Sequence, residues 1–120
     1  MYTASLKGTL TITDEAGNVA ETQTINETSV PFDRIARDQP SLAQTIAGRV
    51  LDFGSIVTTG RFAYLRSNEP VHITDVNGTA LGANDILSTT LLICFGNLRA
   101  LTVDMSGVGT HRPNLIAGGD

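Results

Sequence analysis

The chain has few of the residues that usually mark catalysis, metal binding or disulfide bonding. Trp is absent from its 120 residues, Cys94 is the single cysteine, and His72 and His111 are the only histidines. One cysteine excludes an internal disulfide, and within the apolar run "LLICFG" we expect Cys94 to fill the core as a small hydrophobe. Neither histidine has further ligands at zinc-binding spacing. We therefore predict no metal site and no cofactor.

Positive charge and long apolar runs are also scarce. Eight Lys and Arg residues oppose twelve Asp and Glu, which gives a net charge of −4, and Lys7 is the only lysine. The absence of a basic run argues against nucleic acid as a partner. No apolar run approaches the roughly 20 residues of a membrane helix, and no secretory signal is visible. We expect a single domain over residues 1–120, with no membrane partner.

The first third predicts a β-hairpin. "SLKGTLTITD" alternates apolar and polar residues with period two, "DEAGN" supplies turn residues, and "VAETQTIN" resumes an extended pattern. The following "FDRIARDQ" carries four charges and predicts a solvated loop, with an intersubunit salt-bridge patch as the alternative. Residues 41–48 fit either a short helix or a strand, and the strand-like surroundings favour the strand.

The remainder predicts further short strands. "RVLDFGSIV" is extended, and "RFAYLRS" and "VHITDV" alternate on either side of a turn at "NEP". Asn77-Gly78 predicts a hairpin rather than part of a calcium loop. "TLLICF" is continuous, as in a strand buried on both faces. Gly96-Asn97 then turns the chain into "ALTVDM", and "NLIAG" forms a last strand.

About eight short strands with regularly spaced turns predict an all-β fold, an antiparallel two-sheet sandwich of jelly-roll type. We expect its core to include eight apolar residues of these strands. They are Leu10, Ile12, Leu65, Ile73, Leu91, Ile93, Leu101 and Val103.

Motifs for catalysis are missing. "DFGSIV" and "DMSGVG" do not match the G-x-S-x-G nucleophile elbow, and no phosphate-binding glycine motif occurs. We therefore predict that the protein is not an enzyme and has no catalytic residues. Two other classes stay open, a carbohydrate-binding module and a cupin-like metal enzyme, although Trp is absent and the two histidines make a poor ligand set.

The second half resembles a known kind of structural protein. "RFAYLRSNEPVHI", "LICFGNLRALTVDMSG" and the short "NLIAGGD" end are similar to segments of β-sandwich proteins from tailed-bacteriophage virions. The resemblance implies a protein made in the bacterial host cytoplasm that oligomerises and decorates the capsid as a cement protein. A homotrimer is the expected assembly, bound to phage capsid or tail proteins. A tail, adaptor or fibre component is the alternative.

Arginines are the charges we expect at a subunit or shell contact, because the planar guanidinium binds carboxylates through a rigid fork. The candidate interface residues are Arg34, Arg37, Arg61 and Arg66.

Overall fold

A computed structural model of the chain describes residues 1–42, 46–56, 58–105 and 109–120. These ranges contain nine strands and no helix, and every strand pair is antiparallel, which confirms the all-β antiparallel prediction. The strands are β1 Ser5–Thr13, β2 Val19–Thr28, β3 Arg34–Asp38, β4 Arg49–Val50, β5 Gly60–Val76, β6 Thr79–Ala80, β7 Leu87–Cys94, β8 Leu101–Met105 and β9 Asn114–Gly119.

The predicted first hairpin is present and forms a sheet of its own. β1 and β2 pair along their length around a turn at residues 14–18. One carboxylate oxygen of Asp14 accepts hydrogen bonds from the backbone N–H groups of Ala16 at 3.0 Å and Asn18 at 2.9 Å. Gly17 has a φ of 87°, a backbone conformation that residues with a side chain rarely adopt. The local turn residues therefore set this hairpin.

The other seven strands form one curled sheet arranged around β5. The path runs β3-β9-β5-β8-β4, and β7 and β6 also pair with β5. The first half of β5 pairs with β9 and the second half with β8, while β7 lies along the opposite edge. The sheet and the small hairpin together make roughly a sandwich or a half-barrel.

The predicted turn at "NEP" is wrong, because β5 continues through it as one strand. The pairing register shifts between Arg66 and Val71, so Pro70 lies where the hydrogen-bond ladder with β7 is interrupted. Because proline has no backbone N–H, this position loses no ladder hydrogen bond. The Asn68 side chain bridges this interruption to the neighbouring loop. It donates to the Thr110 carbonyl at 2.9 Å and accepts from the Arg112 N–H at 2.7 Å.

The connection between β7 and β8 also differs from the prediction. Both strands pair with Val71 of β5, so they lie on opposite sides of it and Gly96-Asn97 does not join neighbours. The predicted Asn77-Gly78 hairpin is confirmed, with φ values of 51° and 78°. The Asn77 side chain also binds the segment that connects β7 and β8. It accepts a hydrogen bond from the Arg99 N–H at 2.8 Å and donates one to the Asn97 carbonyl at 2.7 Å.

The core lies on the concave side of the curled sheet. Leu65, Ile73, Leu101 and Val103 are buried there, as predicted. Connecting segments cover this side with further apolar side chains. They include Leu42, Leu51, Phe53, Ile56 and Leu98.

The two ends of the strand path approach each other at Asp38 of β3. Its carboxylate accepts the Asp52 N–H at 2.8 Å and lies 3.7 Å from the Arg49 guanidinium of β4. Since β3 and β4 are the first and last strands of the path, this contact curls the sheet towards closure. The stretch "FDRIARDQ", predicted as a loop, therefore contains an ordered edge strand, β3.

Four of the predicted core residues do not lie in the core. Leu10, Ile12 and Leu91 are 51%, 50% and 48% exposed, and Ile93 is half-buried on the convex side of the sheet. The strand "TLLICF" is therefore not buried on both faces. β7 is paired only with β5 among the described residues, so just its Leu92 and Cys94 side packs against the core.

The structure also bears on the segments around β4 and His111. "RVLDFGSIV" contributes only Arg49–Val50 as strand. His111 lies outside the named strands, is fully buried and pairs through its backbone with Leu42 at 2.9 and 2.8 Å. The choice between helix and strand over 41–48 falls partly on residues 43–45, which lie outside the described residues.

Candidate assembly surface

The convex side of the curled sheet carries a band of large side chains that we call the aromatic–arginine face. In an antiparallel ladder, directly paired residues point to the same side. Arg37, Ile116, Tyr64 and Ile93 are paired in that order across β3, β9, β5 and β7, so they form one continuous row. The parallel rows add neighbours at either side of it. The face comprises Ile35, Arg37, Phe62, Tyr64, Arg66, Leu91, Ile93, Phe95, Asn114 and Ile116.

Burial alternates along these strands and separates the two sides of the sheet. On β5, Ala63 and Leu65 are buried, whereas Phe62 and Tyr64 are only half-buried. Ile35 of β3 is 41% exposed beside the buried Ala36. The rings of Phe62 and Phe95 lie 5.2 Å apart between centroids, which adds an aromatic pair to the face. Apolar side chains this large and this close together form a patch rather than isolated exposed residues.

The charge on this face is only positive. Arg37 and Arg66 belong to it, and no carboxylate does. The ion pairs of the described residues are Arg49–Asp38 and Arg61–Asp120, so neither Arg37 nor Arg66 has a described carboxylate within 4.0 Å. Arg66 also borders an open depression of about 620 Å³ together with Arg112. Two guanidinium groups are therefore available to an acidic partner.

The hairpin of β1 and β2 is attached at one end of this face. Phe32 is 4% exposed, and its ring occupies the space above Gly118 that a side chain at that position would need. Tyr2 and Phe32 exchange backbone hydrogen bonds of 2.7 and 2.9 Å, and their rings lie 6.1 Å apart. Ser29 and Ala4 add a second pair at 2.9 Å each. Phe32 therefore attaches the hairpin to β9, and the hydrogen bonds join the two ends of the hairpin to each other.

Beyond this attachment the hairpin projects from the body, and we call residues 5–28 the hairpin arm. No Cα atom of β1 or β2 lies within 8 Å of a Cα atom in any other described strand. The radius of gyration is 15.7 Å, against about 14 Å for a compact chain of this length. The apolar residues Leu10, Ile12 and Val19 are thus half-exposed or more.

The four arginines predicted as interface residues fall in different surroundings. Arg37 and Arg66 lie together on the aromatic–arginine face. Arg34 lies at the start of β3, where its guanidinium donates to the Ser55 carbonyl at 3.2 Å. Arg61 is 3.4 Å from the Asp120 carboxylate and so already has a partner within the chain. Their role in assembly stays a prediction.

Sequence reasoning did not select the apolar members of the face. Phe62, Tyr64 and Ile116 were not candidates, although the signal was present in part. In "RFAYLRS" the large aromatic residues alternate with Ala63 and Leu65, and the side with the smaller residues is the buried one. The contributions of β3 and β9 had no such signal, because their pairing joins residues that are distant in sequence.

Among the described residues no group of three or more His, Cys, Asp or Glu side chains is placed to hold a metal ion. The described part of the chain contains no helix long and apolar enough to cross a membrane. Comparisons with protein-family models, with curated proteins and with solved structures give no match to this chain.

Proposed function

We propose that this chain is a non-enzymatic structural protein of a tailed-bacteriophage virion, which oligomerises and stabilises the capsid as a decoration protein. A place in the tail, adaptor or fibre is the alternative. The observation that carries the assembly role is the aromatic–arginine face. The jelly-roll topology and the trimeric state belong to the same proposal.

The composition of the face supports an assembly role. Protein interfaces are enriched in aromatic residues and Arg and depleted in Lys, Asp and Glu. The face combines Phe62, Tyr64 and Phe95 with two arginines and has no Lys, Asp or Glu. Covering these partly exposed apolar side chains with a partner removes them from water, which is the main favourable contribution to association.

The resemblance to virion proteins supports the choice of a phage. Its segments correspond to β5, β7, β8 and β9, and three of these four strands contribute to the aromatic–arginine face. The same residues therefore support both the family resemblance and the assembly role. The proposed site of action is the virion, after synthesis in the cytoplasm of the bacterial host.

Arg37→Glu tests the proposal. The substitution places a carboxylate at the β3 edge of the face, so it should weaken self-association and binding to phage shells while the fold is kept. Arg99→Glu is the matched control, since Arg99 is exposed and lies outside the face. Light scattering after size exclusion measures self-association, and co-sedimentation with capsid or tail shells measures binding. Normal assembly and shell binding by Arg37→Glu would refute the role of the face.

A carbohydrate-binding module is a second candidate, because three aromatic side chains on the face are partly exposed. Sugar rings stack on flat aromatic platforms, whereas the Phe62 and Phe95 planes are inclined by 57°. This geometry favours a protein partner. Specific glycan-array binding that Tyr64→Ala abolishes would support the carbohydrate alternative instead.

A further inference from the structure

We propose that the aromatic–arginine face is covered by the hairpin arm of a second copy of this chain. Each copy would then donate one arm and accept another. The inference rests on the proposed assembly function and adds the identity of the partner and of the contacting surfaces.

The two sides of the arm differ in chemistry. In the β1–β2 register, Leu10 pairs with Gln23, Ile12 with Glu21, and Leu6 with Glu27, so these residues point to one side. Gly8 pairs with Ile25 on that same side. The opposite side carries Thr and other small polar residues with the only lysine, Lys7. One side of the arm is therefore apolar and acidic, and the other is polar.

The apolar and acidic side complements the aromatic–arginine face. Glu21 and Glu27 of the arm are exposed, and neither is in an ion pair of the described residues. Arg37 and Arg66 of the face are likewise exposed and outside those ion pairs. Between Ser5 and Thr28 the arm has one Lys and four carboxylates, which is −3 of the total net charge of −4. Opposite charges with apolar residues between them fix both the partner and the orientation of an interface.

The dimensions allow a small contact. Nine residues of β1 extend about 30 Å, and the four strands of the face span about 14 Å across and about 20 Å along β5. A ribbon about 10 Å wide therefore overlaps the face over about 20 Å, which is roughly 200 Å² on each partner. In a reciprocal pair each copy takes part in two such contacts, so the buried total is roughly 800 Å², the size of a weak interface that depends on charge complementarity.

The arm covers little of the face of its own chain in this conformation. Its root borders one end of the face, where Tyr2, Arg37 and Phe62 line a common depression. Beyond the root, no Cα atom of its strands lies within 8 Å of a Cα atom in any other described strand. The exposed apolar side chains of the arm and of the face would both be covered when a second copy is added.

A pair of substitutions on neighbouring residues of β1 tests the orientation. Leu10→Asp places a charge on the apolar side of the arm, whereas Thr11→Asp places the same charge on the opposite side, and both residues are exposed. We expect Leu10→Asp to raise the concentration at which half the chains are monomeric about tenfold or more, and Thr11→Asp to change it little. Analytical ultracentrifugation of the full chain measures this concentration. Equal effects of the two substitutions would overturn the inference.

A charge exchange tests the direct contact. The arm variant Glu21→Arg with Glu27→Arg and the face variant Arg37→Glu with Arg66→Glu should each weaken association by about tenfold or more. Combining all four substitutions restores opposite charges across the contact and should recover association. Circular dichroism confirms that each variant is folded. Absence of recovery in the combined variant would overturn the inference.

These outcomes separate the inference from the proposed function. A stable oligomer that tolerates Leu10→Asp and all the charge changes would refute the arm contact and leave an oligomeric assembly protein. A wild-type chain that stays monomeric at high concentration but binds phage shells would also refute it, since the shell would then cover the face. Failure to bind any phage shell would refute the proposed function and leave the arm contact to the tests above.

Discussion

Phe32 is the side chain whose loss should most affect the attachment of the hairpin arm. It is 4% exposed and packs on Gly118, and the backbone pairs between Tyr2 and Phe32 depend on its position. Replacing a core Phe by Ala costs about 3–5 kcal/mol. Since Phe32 packs beside the sheet rather than within its concave core, we expect the lower end, about 3 kcal/mol.

Most of that loss should appear as local opening of the root. No Cα atom of the arm strands lies within 8 Å of a Cα atom in any other described strand, so the root can open while the curled sheet stays folded. A loss of about 3 kcal/mol corresponds to amide hydrogen exchange faster by about 100-fold. We expect this change at Tyr2 and at position 32 in Phe32→Ala.

Hydrogen exchange read by nuclear magnetic resonance distinguishes the outcomes. Phe32→Leu is the control, because it keeps most of the apolar volume and should cost less than about 1.5 kcal/mol. If Phe32→Ala leaves exchange at Tyr2 unchanged, the hydrogen bonds of the backbone alone hold the root and the reasoning is wrong. If exchange rises equally in β5, the root does not open separately from the sheet.

Three further predictions concern the curled sheet, each measured by equilibrium denaturation. Leu101→Ala should lower the free energy of unfolding by about 2–5 kcal/mol because Leu101 is fully buried, and a change below half a kcal/mol would place this side chain at the surface. Gly60→Ala should cost about 1–3 kcal/mol because its Cβ would overlap the Leu98 backbone. Gly8→Ala, with open space around it, is the control, and an equal effect of the two would refute the steric argument. Asn77→Ala should cost about 2–3 kcal/mol from its positive φ and three lost hydrogen bonds, the longest of them 3.3 Å. Asn77→Gly should recover only the part that comes from φ, and full recovery would mean that the hydrogen bonds contribute nothing.

The sequence alone determined the features that depend on neighbouring residues. The alternation of "SLKGTLTITD" and the turn residues after it predicted the β1–β2 hairpin correctly. Asn77-Gly78 predicted a second one, because positive φ at both positions is a local property. The all-β class follows from the same short-range signals.

Tertiary structure decided which side of each strand is covered. The alternation with period two predicts that Leu10 and Ile12 lie on the same side of β1. Because the hairpin projects from the curled sheet, that side is exposed. The same limit applies to "TLLICF", whose apolar residues predicted burial on both faces, whereas β7 has only one described neighbouring strand.

The candidate surface also depended on pairing between residues distant in sequence. Arg37 and Arg66 were predicted as interface residues on chemical grounds, but only the β3-β9-β5 order brings them to one face. The turn at "NEP" was wrong for a related reason, since pairing along both edges of β5 extends the strand through Pro70. A sequence fixes the side chains that alternate along each strand, whereas the strand order fixes which of them meet, and that order follows from burial of the whole core.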